Sequence, residues 1–499
     1  MTIPAEQADV AAFLAGLAGR AAKETHISAV FIGTDTVWKL KKAVRLPFLD
    51  FSTLAAREQF LRRELAINQP AAPGMYHDVV SIGRGPDGAL ALGAEPALDW
   101  VLRMARVPAE DFVDVIAERG GLTPALLDAL GDAVAHDQAL RPAVPDWDSA
   151  GGLLRIVAGN VESALSASLP ADAVAAWRQR LEAALAALRP WLATRAATGF
   201  VRRCHGDLHL GNLCLWQGRP VAFDALEFDE ALATIDTAYD LAFLLMDLEH
   251  RVGRAAANRV MNRVLARSGD VAMTRGLPVF LSLRAMVKAH IATSMGDSAG
   301  SQSYLAAAQA YLAPPPAVML AIGGLQGTGK STLARLLAPE LEPPPGAVVL
   351  RSDEIRKRLF GVAPEERLPP DGYTETANQR VNATLVALAR EVAAGGHAVI
   401  LDATFLDPHL RDAAKAAAGA ARVPFLGVWL HAPLPELERR VEVRRGDASD
   451  ATLAVLRHAA AHAVAPADWA HVLALDLAEA AGVVREALSA PERNDRGSV

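Results

Sequence analysis

The chain has 499 residues, 52% of them apolar and 21% charged, with a formal net charge of −7. That length exceeds what one hydrophobic core organises and implies two or three domains. The acidic balance argues against nucleic-acid binding, which needs a basic face, and no uncharged apolar run approaches the roughly 20 residues that span a bilayer.

Only two cysteines occur, Cys204 and Cys214, which fits a pair of free thiols in a reducing compartment better than a disulfide framework or a zinc site. The first twenty residues, "MTIPAEQADVAAFLAGLAGR", lack a basic stretch ahead of the apolar ones and predict an amphipathic helix, not a signal peptide. The expectation is a soluble, cytoplasmic protein with no membrane association.

Taken in order, residues 27–50 hold two β-rich runs around "GTD", a hairpin signal. A helix follows over 53–69, then short strands in "HDVVSIGRGPDGALALG" and "LDWVLRMARVP". From about 108 to 198 the apolar residues recur at helical spacing. The loop "CHGDLHLGN" (204–212) comes next, then a second hairpin, "LCLWQGRPVAFD", turning at Gln217 and Gly218, with helix over 230–312. A β-rich lobe (about 1–105) leading into a helical lobe (about 106–313) is an α+β pattern.

Phosphoryl transfer to an alcohol needs a carboxylate near the hydroxyl, cations along the phosphates, and oxygen ligands for Mg²⁺. The stretch 205–224 supplies such groups in sequence. Asp207 would orient or deprotonate the hydroxyl. Asn212, five residues on, and Asp224, at the end of the hairpin, would hold Mg²⁺, and His205 would brace the loop. In "VWKLKK", Lys39 and Lys41 share one face of a strand, and either could pair with nucleotide phosphates, with Glu64 placed to hold it. The competing readings are a solvated edge strand for the lysines and an exposed helix face for Glu64. Asp229, Asp236 and Asp240 read as helix caps and ion-pair partners.

"LAPPPA" (312–317) is the clearest seam, because three prolines cannot continue a helix. It sets a boundary near 314. Beyond it strands alternate with helices: "AVMLAIGG", "AVVLRSD", "HAVILDAT", "PFLGVWLHA" and "HVLALDL". Such alternation predicts a parallel sheet covered on both faces, over about 314–485. Residues 486–499 are expected to be a disordered tail.

In "GGLQGTGKST", Gly324, Gly327, Gly329, Lys330, Ser331 and Thr332 contain GxxxxGK[ST], directly after an apolar strand and before a helix. The glycines admit phosphates to the backbone N–H groups, Lys330 would reach the β- and γ-phosphates, and Ser331 would ligate Mg²⁺. Asp353 lies at the end of the next strand, where open α/β sheets bind substrates, and could accept a hydroxyl proton. Arg356 could hold an anionic part of that substrate, and Asp402 would act on Mg²⁺ from a third strand. Arg440 and Arg444, one helical turn apart, could close over the phosphates, although Glu/Arg alternation also describes an ordinary exposed helix.

"HGDLHLGN", "FDALEFD" and "YDLAFLL" resemble the motifs of aminoglycoside phosphotransferases and choline-kinase-like enzymes, over roughly residues 25–310. The resemblance implies a bilobal protein-kinase-like fold, Asp207 as catalytic base, and Asn212 and Asp224 as Mg²⁺ ligands. "FIGTDT" is not the Gly-rich loop of protein kinases, which leans away from a protein substrate. Residues 317–480 resemble P-loop kinases related to gluconate kinase, chloramphenicol phosphotransferase, zeta toxins and polynucleotide 5′-kinases, and "SDEIR" points to a kinase instead of a motor-type ATPase. Together these imply a bacterial fusion of two ATP- and Mg²⁺-dependent kinases acting on small hydroxylated molecules. Two alternatives stand beside this one. In the first, a metabolite-sensing kinase-like domain regulates the P-loop kinase. In the second, the P-loop half phosphorylates polynucleotide 5′-hydroxyls.

Overall fold

The computed structural model of the chain describes residues 2–46, 49–443 and 448–489. The described residues up to Asp247, with Thr293–Met295, form one compact unit; those from Leu248 to Ala292 and from Gly296 onward form another.

In the first unit a six-stranded antiparallel sheet runs in the order Lys23–Glu24, Ser28–Ile32, Thr36–Lys41, Ala97–Ala105, Tyr76–Arg84, Leu90–Leu92. Lys39 pairs with Val30 on one side and Leu102 on the other, so its strand is interior and not a solvated edge. Helix Ala8–Ala18 covers one sheet face, where Leu14, Phe31, Leu40, Ile82 and Val101 are buried. On the other side, Leu61, Met75, Tyr76, Leu102 and Cys214 form a second core.

Helix Leu54–Asn68 starts at Thr53, whose Oγ1 accepts a hydrogen bond from Ala56 N–H at 3.2 Å. Its buried residues are Arg57, Leu61, Glu64 and Asn68. Spacings of four, three and four put them on one face. Three of the four are polar, so this helix docks by hydrogen bonds as much as by apolar burial.

Helices Pro124–Leu140, Ser149–Ser166 and Ala171–Ala197 follow. The loop 204–212 lies between strand Val201–Arg203 and the hairpin Leu213–Trp216/Arg219–Ala222. That hairpin turns at Gln217 and Gly218, both with positive φ (51° and 75°), the geometry a two-residue turn needs to match strand twist. The continuous helix expected from 230 is interrupted: Thr234–Asp236 is a strand paired antiparallel with Val201–Arg203. Pairing with the strand that leads into the loop overrides local helix preference there.

The second unit holds a five-stranded parallel sheet in the order Val348–Arg351, Val399–Asp402, Met319–Gly324, Phe425–His431, Ala470–Leu473. The central strand, Met319–Gly324, is buried throughout and leads into the glycine-rich loop and helix Lys330–Leu337. The fold is therefore a kinase-like α+β region followed by an α/β region with a parallel sheet.

Compactness does not divide at the prolines. Helix Arg254–Ser268, upstream of them, packs on the edge strand of the parallel sheet. Asn258 Nδ2 donates to Ala347 O at 3.0 Å, and Val349 N–H donates to Asn262 Oδ1 at 2.7 Å. Arg254 and Arg263 pair with Glu342 and Glu365 at 2.8 and 2.7 Å. An open sheet edge presents unpaired backbone groups, and this helix satisfies two of them, the Ala347 carbonyl and the Val349 N–H. At the far end, helix Leu477–Ser489 runs through residues 486–489, which the sequence assigned to a tail; 490–499 lie outside the described residues.

Candidate active sites

Two sites take shape, one in each unit. In the first, the loop after Val201–Arg203 is fixed from beneath. The Asp240 carboxylate accepts hydrogen bonds from His205 N–H (3.2 Å) and Gly206 N–H (2.9 Å), and Asp247 accepts from Leu210 N–H at 3.0 Å. His205 is buried, with Nδ1 accepting from Asp207 N–H at 3.2 Å and Nε2 at 2.9 Å from Phe223 O. The proton therefore sits on Nε2, and the ring braces the loop against the hairpin.

Asn212 Nδ2 donates to both the backbone O and the Oδ2 of Asp207, each at 2.9 Å, so these two predicted residues meet. Asp207 is also 3.6 Å from His209 Nε2. Asp229 caps the short helix Glu230–Ala233, and Asp236 forms a buried two-bond pair with Arg195 at 2.5 and 2.8 Å.

Lys39 Nζ lies 2.6 Å from Glu64 Oε1 and 2.5 Å from Asp224 Oδ1, while Lys41 Nζ lies 2.8 Å from Glu64 Oε2 and also bonds Glu227. Glu64 thus holds both lysines, one on each oxygen. The lysines differ in access: Lys41 is wholly buried, and Lys39 faces the carboxylate of Asp224, whose side chain is 44% exposed. Burial pushes the Glu64 carboxyl up, but the two ammoniums outweigh it and hold it down to about 2. Burial likewise opposes the charge of Lys39, yet Asp224 and Glu64 keep its pKa well above the usual lysine value.

Asp224 has φ 60°, in the left-handed region that non-glycine residues adopt at a cost. Its N–H donates to Tyr76 Oη at 3.0 Å, and the next N–H, of Ala225, donates to Asn68 Oδ1 at 2.9 Å. The sequence reading missed Glu227, Tyr76 and Asn68. Glu227 could have been found as a second carboxylate three residues after Asp224 in "FDALEFD"; nothing in the sequence singles out Tyr76 or Asn68.

In the second site the glycines have structural cause. A Cβ on Gly324, which has φ 137°, would sit 2.4 Å from Leu430 O, and one on Gly327 would sit 2.8 Å from Leu437 O. Lys330 Nζ donates to Gly324 O (2.9 Å) and Leu325 O (2.8 Å), across the mouth of the loop. Ser331 Oγ donates to Asp402 Oδ2 at 2.5 Å, and Arg351 Nε lies 3.3 Å from the same oxygen. Parallel register puts Asp402 beside both Ile322 and Arg351, which is why three strands converge there.

Burial raises the pKa of Asp353, helped by the charge of Asp402 and opposed by Arg351 and by a hydrogen bond from Ser449. A carboxyl tuned upward suits proton acceptance nearer neutral pH. Arg356 is taken up otherwise: it donates to Gly372 O at 2.7 Å and lies over the Tyr373 ring. Lys357, buried one residue on, pairs with Asp450 at 2.7 Å. Arg440 spans Glu436 (2.6 Å), Ala474 O (2.9 Å) and, at 3.4 Å, Gly327 O of the phosphate loop. Arg444 lies outside the described residues.

The donor sets fit a nucleotide with Mg²⁺. Mg²⁺ favours one or two carboxylates completed by phosphates and water over a full protein cage. Asp224 and Asn212, and Asp402 and Ser331, carry side-chain oxygens of that kind; Asp224 lies against Lys39, and Asp402 against Ser331. In the second site, Gly324, Gly327 and Gly329 all have positive φ and pack without a Cβ against Leu430, Leu437 and Leu477, which holds the loop in a turn ahead of the N-terminus of helix Lys330–Leu337.

Fold and comparison define a protein of the kinase class. The chain belongs to the phosphotransferase enzyme family, whose model matches residues 20–275, and a second model, described as an AAA domain, matches residues 319–466. It is an ATP-dependent kinase in which an aminoglycoside-phosphotransferase-like region is followed by an α/β region that matches the AAA-domain model. Uncharacterized proteins of Mycobacterium tuberculosis and Mycobacterium bovis are 29% identical over 470 residues, 90% of this chain and 90% of theirs. Among solved structures, a choline/ethanolamine kinase family protein from Mesorhizobium loti is similar over 62% of this chain and 95% of its own, at 15% identity and TM-score 0.38. A gluconokinase from Sinorhizobium meliloti is similar over 35% and 95%, at 20% identity and TM-score 0.24. Among the described residues no helix is long and apolar enough to cross a membrane.

Proposed function

We propose that the protein is a bifunctional phosphotransferase, each half moving the γ-phosphoryl of ATP to a hydroxyl of a small molecule. The observation that carries this reading is the duplication of parts: Lys39, Glu64 and Asp224 in one unit, Lys330, Ser331 and Asp402 in the other. In the first half, Asp207 accepts the hydroxyl proton and Asn212 orients it, while Lys39 lies along the phosphates. In the second, Asp353 takes the proton, Lys330 swings from the loop carbonyls to the phosphates, and Arg440 steadies the loop at Gly327. Asn212 and Asp224, and Ser331 and Asp402, would hold Mg²⁺, which neutralises phosphate charge when bound.

The Lys39–Glu64–Asp224 set favours a working first site over a sensing-only domain, and the net charge of −7 speaks against a polynucleotide acceptor. Joining the halves raises effective concentration if one product feeds the other site. The test is ATP consumption over sugars, amino alcohols, nucleosides, antibiotics and 5′-hydroxyl oligonucleotides, with Asp207→Asn and Lys330→Ala proteins. Distinct acceptors lost with each variant support two enzymes. Loss of all turnover with Lys330→Ala alone reduces the protein to one.

A further inference from the structure

Asp224 is the one metal-ligand candidate with a left-handed backbone, and two consecutive amides around it are held by side chains. The Asp224 N–H bonds Tyr76 Oη at 3.0 Å and the Ala225 N–H bonds Asn68 Oδ1 at 2.9 Å. Both side chains are buried, each 1% exposed. Asn68 is engaged twice, since its Nδ2 also donates to the backbone O of Glu64 at 2.9 Å. One amide thus ties the helix that carries the lysine partner to the segment that carries the metal ligand. The same helix face is anchored at its other end: Arg57 Nε pairs with Asp99 at 2.8 Å, and Gln7 Nε2 joins Asp99 (2.7 Å) to the backbone O of Lys41 (2.9 Å).

We propose that Tyr76 and Asn68 are positioning residues that hold Asp224 in its left-handed conformation, with its carboxylate against Lys39, and so set metal affinity in the first site. The inference rests on the first-site half of the proposed function. A strained φ persists only where its surroundings over-determine it, and here two buried hydrogen bonds on successive amides do so. Without them the peptide at 224 relaxes, and Asp224 leaves the position that Glu64 and Lys39 define. Groups that orient a metal ligand in this way are worth about 10–100-fold in metal affinity or activity.

The test uses the full-length chain carrying Lys330→Ala to quiet the second site, with Tyr76→Phe, Asn68→Leu and, as reference, Asp224→Asn. Three quantities are read: Mn²⁺ binding in the presence of a non-hydrolysable ATP analogue, by electron paramagnetic resonance; the Mg²⁺ dependence of ATP hydrolysis; and hydrogen exchange of the amides at 224 and 225. Faster exchange in each variant is expected, with a roughly 10–100-fold weaker Mn²⁺ affinity and a fall in kcat exceeding any rise in KM for ATP. Tyr76→Phe removes a single oxygen, so it decides the matter should Asn68→Leu unfold. Wild-type metal affinity in Tyr76→Phe, beside an inactive Asp224→Asn, overturns this inference alone. Unchanged hydrolysis in Asp224→Asn overturns the first-site function and the inference with it.

Discussion

Lys39 Nζ stands 2.5 Å from Asp224 Oδ1, and Lys41 Nζ, two residues along the same strand, reaches Glu227 instead. Alternation placed both lysines on one face, but depth separates their roles. Lys39 ends at a half-exposed carboxylate where phosphates can approach, whereas Lys41 neutralises two buried acids.

Lys39→Met should therefore lower first-site turnover by about 10²-fold or more, with a smaller loss of stability than Lys41→Met, since it takes one partner from buried Glu64 and one from half-exposed Asp224. Lys41→Met should act in the opposite way. It strips a fully buried partner from Glu64 and Glu227, a loss on the order of 3–5 kcal/mol. Steady-state kinetics in the Lys330→Ala background and a urea unfolding curve for each variant separate the two. Equal kinetic defects at unchanged stability would refute the division of labour.

The sequence exposed whatever is local and periodic. "HGDLHLGN" and "GGLQGTGKST" name their sites because loop chemistry there is written in consecutive residues. The five parallel strands were visible as apolar runs, and the Gln217–Gly218 turn from its residue types. What stayed hidden is what depends on distant chain meeting distant chain. Tyr76 and Asn68 look like ordinary strand and helix residues, and only tertiary packing brings them to the amides of 224 and 225. Arg356 looked free to hold a substrate until Gly372 and Tyr373 closed on it. The prolines at 314–316 lie between helix Ser298–Ala310 and strand Met319–Gly324, but the compact second unit also takes in a helix from upstream of them.

Ser331 and Asp402 share a 2.5 Å hydrogen bond, and Arg351 touches the same carboxylate oxygen. Ser331→Ala and Asp402→Asn should each cost second-site turnover about 10–100-fold and raise its Mg²⁺ requirement, measured in the Asp207→Asn background. Asp402→Asn should also lower stability, because buried Arg351 then loses the charge of the carboxylate 3.3 Å away while keeping Glu354 at 2.9 Å. A wild-type Mg²⁺ midpoint in both would remove these residues from the metal site.

The edge strand Val348–Arg351 predicts a further dependence. Asn262→Leu leaves the Val349 N–H without its acceptor, a change worth about 1–3 kcal/mol. A fragment starting at residue 317 loses the whole covering helix and should aggregate or unfold at lower temperature than one starting at residue 248. Calorimetry on the two fragments checks this, and equal transitions would show that the helix is dispensable.

Finally, His397 gives the second unit an acid limb. The ring is buried, its Nε2 is 2.9 Å from Gly346 O, and its Nδ1 has no hydrogen-bond partner among the described residues. Burial pushes its pKa down to about 4, only partly opposed by the bond to Gly346. A folded pKa below the unfolded one means that the unfolded chain binds the proton first. Stability from this group is complete above about pH 6.5 and lost progressively as pH falls toward 4, with roughly 2 kcal/mol gone by pH 5. His397→Gln, which cannot titrate, should flatten that part of the profile while lowering stability at pH 7 through imperfect replacement of the Gly346 bond. Urea midpoints between pH 7 and pH 4.5 measure both effects, and parallel profiles for the variant and the wild type would exclude His397 as the source.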